Sequence, residues 1–253
     1  MNRKEREKIL HDQLADNYEL IRESQANGRY YSLEWVRHLL GLLPNKPFVK
    51  ILDLGCGTGI AYEVIREAFP KMEYVGIDLS EKMISVGKRK YPQAQFIVMD
   101  CENLEFSDGS FDVIIARSIL HHVPNPERSL REIKRVLVGD GAVVISEPHR
   151  NVFTFLPREI LKMITGKFDK EHTNFTTSKI RSLFVTSGMR LDGIHYFGYL
   201  AYPFAFPDII KVLKYFPFKL FKFLFRWDLF LSKIPVLNRA AWHIIIVGTK
   251  ELG

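Results

Sequence analysis

Apolar runs close on carboxylates three times in the first hundred residues, at Asp53, Asp78 and Asp100. The first acid is followed at once by Gly55-Cys56-Gly57-Thr58-Gly59. Glycines let the chain turn tightly and approach a ligand that any Cβ would push away. A helix starting directly behind the turn adds unpaired backbone N–H groups. This is ligand-cradling chemistry, and nucleotide-type ligands compete for it. A phosphate clamp needs Gly-Lys-Ser/Thr after the glycines, where this chain has Gly59-Ile60-Ala61. A dinucleotide fingerprint wants its third glycine at position 60, one residue beyond Gly59. Asp53 also stands where it would repel a pyrophosphate. A sulfonium carrying an amino acid reverses that argument, because it gains from a nearby carboxylate and from N–H groups facing its own. The local chemistry favours S-adenosylmethionine.

Candidates for moving a proton are histidines. His121 and His122 stand side by side after the fourth apolar run, and histidine titrates near neutral pH without strong tuning. Either can act as a base, or one can simply fix the loop by hydrogen bonding. His149, after Glu147-Pro148, and His172 stand behind them, whereas His195 lies in a strand-like run and reads as structural. No metal is expected: the paired histidines are adjacent rather than a helical turn apart, and no acid–histidine cluster with zinc spacing stands out. The two cysteines, Cys56 and Cys101, make neither a disulfide framework nor a Cys-x-x-Cys knuckle, so a reducing cytoplasm is the expected compartment. The charged start at Met1–Lys8 has no signal-like apolar core behind it, and no apolar run reaches 18 residues.

These residues must be held by a sheet. Strands are predicted near 49–54, 73–77, 94–98, 111–116 and 141–146, with helices near 59–69, 80–90 and 126–137. Residues 1–28 read as one or two helices. Thr176-Thr177-Ser178 reads as a helix cap, and Gly188 ends the helix that follows. Further strand-like segments lie at 190–198 and 241–248. The pattern is α/β, with helices on both faces of one sheet. Open sheets of this kind bind ligands at the carboxyl ends of their strands, where the acids collect.

Together, Ile51-Leu-Asp-Leu-Gly-Cys-Gly-Thr-Gly59, Tyr74-Val-Gly-Ile-Asp78, Phe96-Ile-Val-Met-Asp100 with Cys101-Glu102-Asn103-Leu104, and Ser107–Ile115 resemble the class I S-adenosylmethionine-dependent methyltransferases. The resemblance is to their small-molecule group, which includes the ubiquinone and menaquinone methyltransferases (type 11-like). It is strong over residues 51–147 and weak in the flanks. It implies a doubly wound, Rossmann-like, mostly parallel seven-stranded sheet with an antiparallel edge strand. It also implies that Asp53, Gly55, Cys56, Gly57 and Gly59 wrap the methionine part of the cofactor. Asp78, with Leu79, would grip the ribose; Asp100, with Cys101 and Glu102, would meet the adenine. An aromatic residue of the amino-terminal segment closes the pocket in these enzymes, and Tyr18 matches it. Arg117 completes the expected cofactor set, although orienting an anionic acceptor or satisfying a nearby acid are alternatives. Tyr30, Tyr31 and Trp35 either line the acceptor side or form an ordinary helical core face.

Residues 1–48 are thus expected to be a helical segment over the site, and 49–253 the methyltransferase domain, with an aromatic-basic helical insertion at 200–236. On a helix beginning near Phe218, Lys219, Lys222 and Arg226 share one side and Phe218, Phe221, Leu224 and Phe225 the other. Phe223, Trp227 and Phe230 leave little of the perimeter polar. This is either a greasy lid over an apolar substrate, a contact made by 202–233 with an anionic bilayer, or a subunit interface. An amphipathic or hydrophobic small-molecule substrate follows, methylated on oxygen or carbon, in a cytoplasmic protein that is peripheral on the inner face of the membrane if the bilayer reading holds. The net charge of +7 suits any polyanion, so RNA or protein methylation is an alternative. Nucleic acid is not expected, because Ala116-Arg117-Ser118-Ile119 replaces the Asn/Asp-Pro-Pro-Tyr/Phe of base amino-methylation and no RNA-binding motif is appended. A non-catalytic binding scaffold is the remaining alternative, and it predicts damage to the glycine turn or the acids, which are intact.

Overall fold

The computed structural model describes residues 2–18, 24–45, 49–165, 175–206, 213, 215–234 and 236–250. Among them, two helices, α1 (Arg3–Tyr18) and α2 (Ala26–Leu40), precede a seven-stranded sheet. The strands are β1 (Lys50–Leu54), β2 (Glu73–Asp78), β3 (Gln95–Val98), β4 (Phe111–Arg117), β5 (Leu137–Pro148), β6 (Met189–Phe197) and β7 (His243–Lys250). Their order is β3-β2-β1-β4-β5-β7-β6. The first five run parallel, and β7 pairs antiparallel with both β5 and β6. The mostly parallel sheet with antiparallel pairing at one edge is as expected; β6 is outermost and β7 lies just inside it.

The helices α3 (Ala61–Ala68), α4 (Glu81–Lys90), α5 (Pro126–Val136), α6 (Val152–Thr165) and α7 (Thr177–Thr186) lie in the connections between strands, α6 and α7 both between β5 and β6. The central strands are apolar on both faces because both faces are covered. Along β1, β4 and β7, alternate side chains enter two separate cores. Ile51, Val113, Ile115, Ile245 and Val247 join the layer of α2 and α3. Leu52, Leu54, Ile114, Ile244 and Ile246 join that of α5 and α7. Side-chain caps start the helices: Ser80 accepts from the Met83 N–H, Asn125 from Arg128 and Thr176 from Lys179. Gly139-Asp140-Gly141 falls inside β5 at a register irregularity, since Phe111 pairs with Leu137 and Val113 with Ala142.

The insertion contains α8 (Tyr202–Ala205), α9 (Phe218–Leu231) and a 3₁₀ turn at Leu237–Ala240. Phe221 and Phe225 are fully buried one turn apart, against the rings of Tyr30 and Tyr31 on α2. The Asp228 carboxylate accepts from the N–H groups of Tyr199, Leu200 and Ala201 at 2.7–3.3 Å, tying α9 to the exit of β6.

Candidate functional site

Parallel order brings the ends of β1 to β5 to one edge, and the strand order reverses between β1 and β4. That reversal is the crevice where open α/β sheets take ligands. The glycine turn follows β1 on one side of it, and the His121–His122 loop follows β4 on the other.

The turn is packed on one side and open on the other. Gly59 has φ +82°, and a Cβ there would come within 2.5 Å of the Phe96 ring. Gly57 has φ +54°, yet a Cβ built on it meets nothing within 4 Å. Only glycine combines these left-handed angles with that close approach. The Gly57 N–H donates to Asp78 Oδ2 at 3.0 Å, and the Ser80 N–H donates to Oδ1 at 2.9 Å. Each carboxylate oxygen keeps a second lone pair, so Asp78 can still receive two ribose hydroxyls. An open glycine cradle beside a strand-end acid fits S-adenosylmethionine.

Other expected cofactor residues are placed less simply. Asp53 is buried and accepts from the Tyr74 hydroxyl at 2.8 Å; burial pushes its pKa up to about 6. Cys56 is buried within the turn. Cys101 turns into the opposite core against Ser129, 3.6 Å away, and burial pushes its thiol up to about 12. Glu102 is buried and accepts from the Asn125 N–H at 2.8 Å. Arg117 lies over the Trp35 ring at 5.3 Å and helps hold the Asp53 charge, the acid-satisfying alternative. Leu79 is half-buried between Asp78 and Ser80, and Tyr18 is half-buried at the last turn of α1. Tyr31 and Trp35 belong to the core, while Tyr30 packs on α9. His172 lies outside the described residues.

Helix α1 lies across this rim on polar contacts. Lys4 pairs with Asp100 at 2.6 Å and with Glu102, the two acids expected at the adenine. Lys8 meets Glu81 at 2.7 Å, Asp12 accepts from Ser80 Oγ at 2.6 Å, and Arg3 donates to the His121 carbonyl at 2.6 Å.

The histidine loop is organised by a residue that sequence reading named only as a flank of His149. Glu147, fully buried at the end of β5, accepts from the N–H groups of Ile119, Leu120 and His121 at 2.7–3.3 Å. Its Oε2 also lies 2.7 Å from His121 Nδ1. Ser118, at φ +57°, makes the turn that aims those N–H groups inward. Burial pushes the Glu147 pKa up to about 7, opposed by the three N–H donors. The contact of Nδ1 with this buried carboxyl group fixes the orientation of the His121 ring. The His122 ring lies 3.9 Å from that of His121, tilted by 40°, and burial lowers its pKa to about 3. His122 Nδ1 meets Glu7 Oε2 of α1 at 2.9 Å, and His11 joins the same group. That acid–histidine cluster was missed because its third member is 111 residues from His11 (122 − 11), although Glu7 and His11 have the i,i+4 spacing of one helix face. His149 is buried just past the end of β5, beside Asn151, Thr177 and the Tyr196 ring.

Residues 52–145 match the family model described as Methyltransferase domain. Fold and match together mark residues 52–145 as a methyltransferase domain of the class I architecture. More particularly, the chain is related at moderate identity to quinone-methylating enzymes. It is 32% identical over 148 residues to the demethylmenaquinone methyltransferase of Thermotoga maritima, covering 57% of this chain and 64% of that one. It is 28% identical over 175 residues to the ubiquinone/menaquinone biosynthesis C-methyltransferase of Geotalea uraniireducens, covering 64% and 74%. The match thus spans less than two thirds of the Thermotoga relative. In fold it superposes on a Haloferax volcanii methyltransferase solved with the Trm112 methyltransferase activator. The TM-score is 0.67 at 19% identity, over 96% of this chain and 98% of that one.

Proposed function

We propose that this protein transfers a methyl group from S-adenosylmethionine to an oxygen or carbon of a hydrophobic, lipid-linked small molecule such as a quinol precursor. The cofactor supplies an electrophilic methyl, and the protein's task is to align an acceptor, strip its proton and keep water out. Gly55, Gly57 and Gly59 cradle the methionine portion, Asp78 holds the ribose, and Asp100 with Glu102 frames the base once Lys4 withdraws. His121 accepts the acceptor's proton, and Glu147 fixes the orientation of its ring. The observation that carries this reading is the convergence, on one sheet edge, of an open glycine cradle, a strand-end acid and a carboxylate-oriented imidazole. The quinone relatives favour an aromatic carbon or oxygen acceptor.

Isothermal titration with S-adenosylmethionine should give one site that Asp78→Ala weakens at least tenfold; absence of binding by the folded wild type sinks the reading and favours the scaffold. Labelled methyl donor with cell extracts, followed by mass analysis, identifies the acceptor.

The acceptor's source is read from α9 and α6. Leu220, Phe223, Trp227 and Phe230 form an exposed stripe on α9 at spacings of three and four, opposite the buried Phe221 and Phe225. Lys219, Lys222, Arg226 and Lys233 flank it. On α6, Val152, Phe153, Leu156 and Met163 are exposed too, and Asn151 at its start donates to the Ala241 carbonyl beside the 3₁₀ turn. Exposed aromatics edged by cations suit the interface of an anionic bilayer. No helix among the described residues is long and apolar enough to cross a membrane. The protein should float with anionic liposomes, and Phe223→Glu with Trp227→Glu should abolish flotation; flotation unchanged by both removes the bilayer contact.

A further inference from the structure

We propose that Glu7, His11 and His122 form a binding site for a borderline divalent transition metal, of which zinc is the type, clasping α1 to the loop after β4. One carboxylate oxygen of Glu7 and one imidazole nitrogen of each histidine lie within 4.8 Å of one another. Glu7 Oε2 stands between the rings, 2.9 Å from His122 Nδ1 and 3.8 Å from His11 Nε2. Around tetrahedral zinc, ligand atoms at about 2.0–2.2 Å from the ion stand about 3.3 Å apart. The first separation therefore opens and the second closes by about half an ångström, within the reach of side-chain torsions.

Ligand type agrees with geometry. Two imidazoles and one carboxylate form a three-protein-ligand set that leaves a fourth position to water, and imidazole selects zinc, cobalt or nickel over magnesium and calcium. Glu7 and His11 share one face of α1, one turn apart, so the helix presents both to the same point. The third ligand is held by a structure that exists without the metal: the His122 N–H donates to the Ile119 carbonyl at 3.0 Å, within the loop Glu147 anchors. The side chains are 12%, 30% and 19% exposed for Glu7, His11 and His122, sheltered yet open to an entering ion. Because the ligands come from α1 and from the β4 loop, the ion would fasten the helix that crosses the cofactor rim. The site does not depend on the acceptor proposed above.

Cobalt(II) is the probe, since tetrahedral coordination gives it visible absorption, and Zn²⁺ should displace it. The folded wild type should take up one Co²⁺ with that spectrum and become slower to be cut by trypsin at Arg6 and Lys8. His11→Ala and Glu7→Gln, whose folding is checked by circular dichroism, should each weaken uptake at least about tenfold while still binding S-adenosylmethionine. His11→Cys should restore uptake with a thiolate charge-transfer band. No uptake by the wild type, or uptake that neither substitution changes, overturns the site.

Discussion

Replacing Glu147 by alanine strips four donors of one buried acceptor. The N–H groups of Ile119, Leu120 and His121 and the His121 ring all converge on a side chain with no exposed surface. A buried donor left without a partner costs roughly 1–3 kcal/mol, and removing one member of a buried charged network costs about 3–5 kcal/mol in all. The loss is bounded near the second figure because the 117–122 loop lies at the rim and can relax toward water. For a domain of this size each kcal/mol lowers Tm by about 2–4 °C, so Glu147→Ala should melt roughly 10 °C or more below the wild type. Glu147→Gln keeps one oxygen toward Ile119 and Leu120 and should lose less than half as much. Calorimetry gives both values, and NMR titration of His121 should find its ring released from the carboxylate in the alanine variant. A loss under about 1 kcal/mol, with the His121 titration unmoved, would refute the idea that this one residue shapes the loop.

Gly57→Ala and Gly59→Ala should part company. Both place a Cβ at positive φ, costing about 1–2 kcal/mol, but only the second also drives it into Phe96. Denaturant melts should thus rank Gly59→Ala as the less stable, while titration with S-adenosylmethionine finds binding lost in Gly57→Ala despite its intact fold. Burial pushes the Asp228 pKa up to about 6, so the folded state takes a proton more readily than the unfolded chain. Its contribution is full below about pH 4 and is lost as pH rises through 6, a step of order 3 kcal/mol that Asp228→Asn should flatten in stability–pH curves. Among the described residues the buried Tyr31 hydroxyl has no hydrogen-bond partner, so Tyr31→Phe should be neutral or more stable by about 1 kcal/mol; a clear loss in chemical denaturation would mean the hydroxyl has a partner.

The frame of the domain was legible because its signals are local. Apolar runs ending at Asp53, Asp78 and Asp100, caps such as Thr176, and a helix starting at Phe218 each depend on neighbours a few residues away. The cofactor rim inherited that clarity, since parallel strands bring their ends together whatever the side chains do. What escaped reading was pairing across the fold. Glu147 meets a loop 26–28 residues earlier, Lys4 meets Asp100, and Glu7 meets His122, contacts for which a linear sequence carries no periodicity. The face on which a side chain emerges was equally hidden: Cys101 follows a rim acid yet enters the opposite core. The aromatic insertion was read as lid, bilayer contact or subunit interface in alternation. The helix has two faces, one locked into α2 and one exposed, so a structural role and an interfacial one do not compete for the same residues.

Two helical additions around the sheet are fastened by different physics. Detaching α9 would wet two large rings, at roughly 1.5–3 kcal/mol each, besides releasing the carboxylate at Asp228. The amino-terminal helix buries only Ala15 fully among its described apolar residues and otherwise holds by partly hydrated charges, each worth roughly 0–1 kcal/mol and weakened by salt. If donor and spent donor exchange at this strand-end rim, the amino-terminal helix is the element that yields and the aromatic one the element that stays. Exchange at the rim should quicken with ionic strength, a dependence set by the weakest hinge in the molecule.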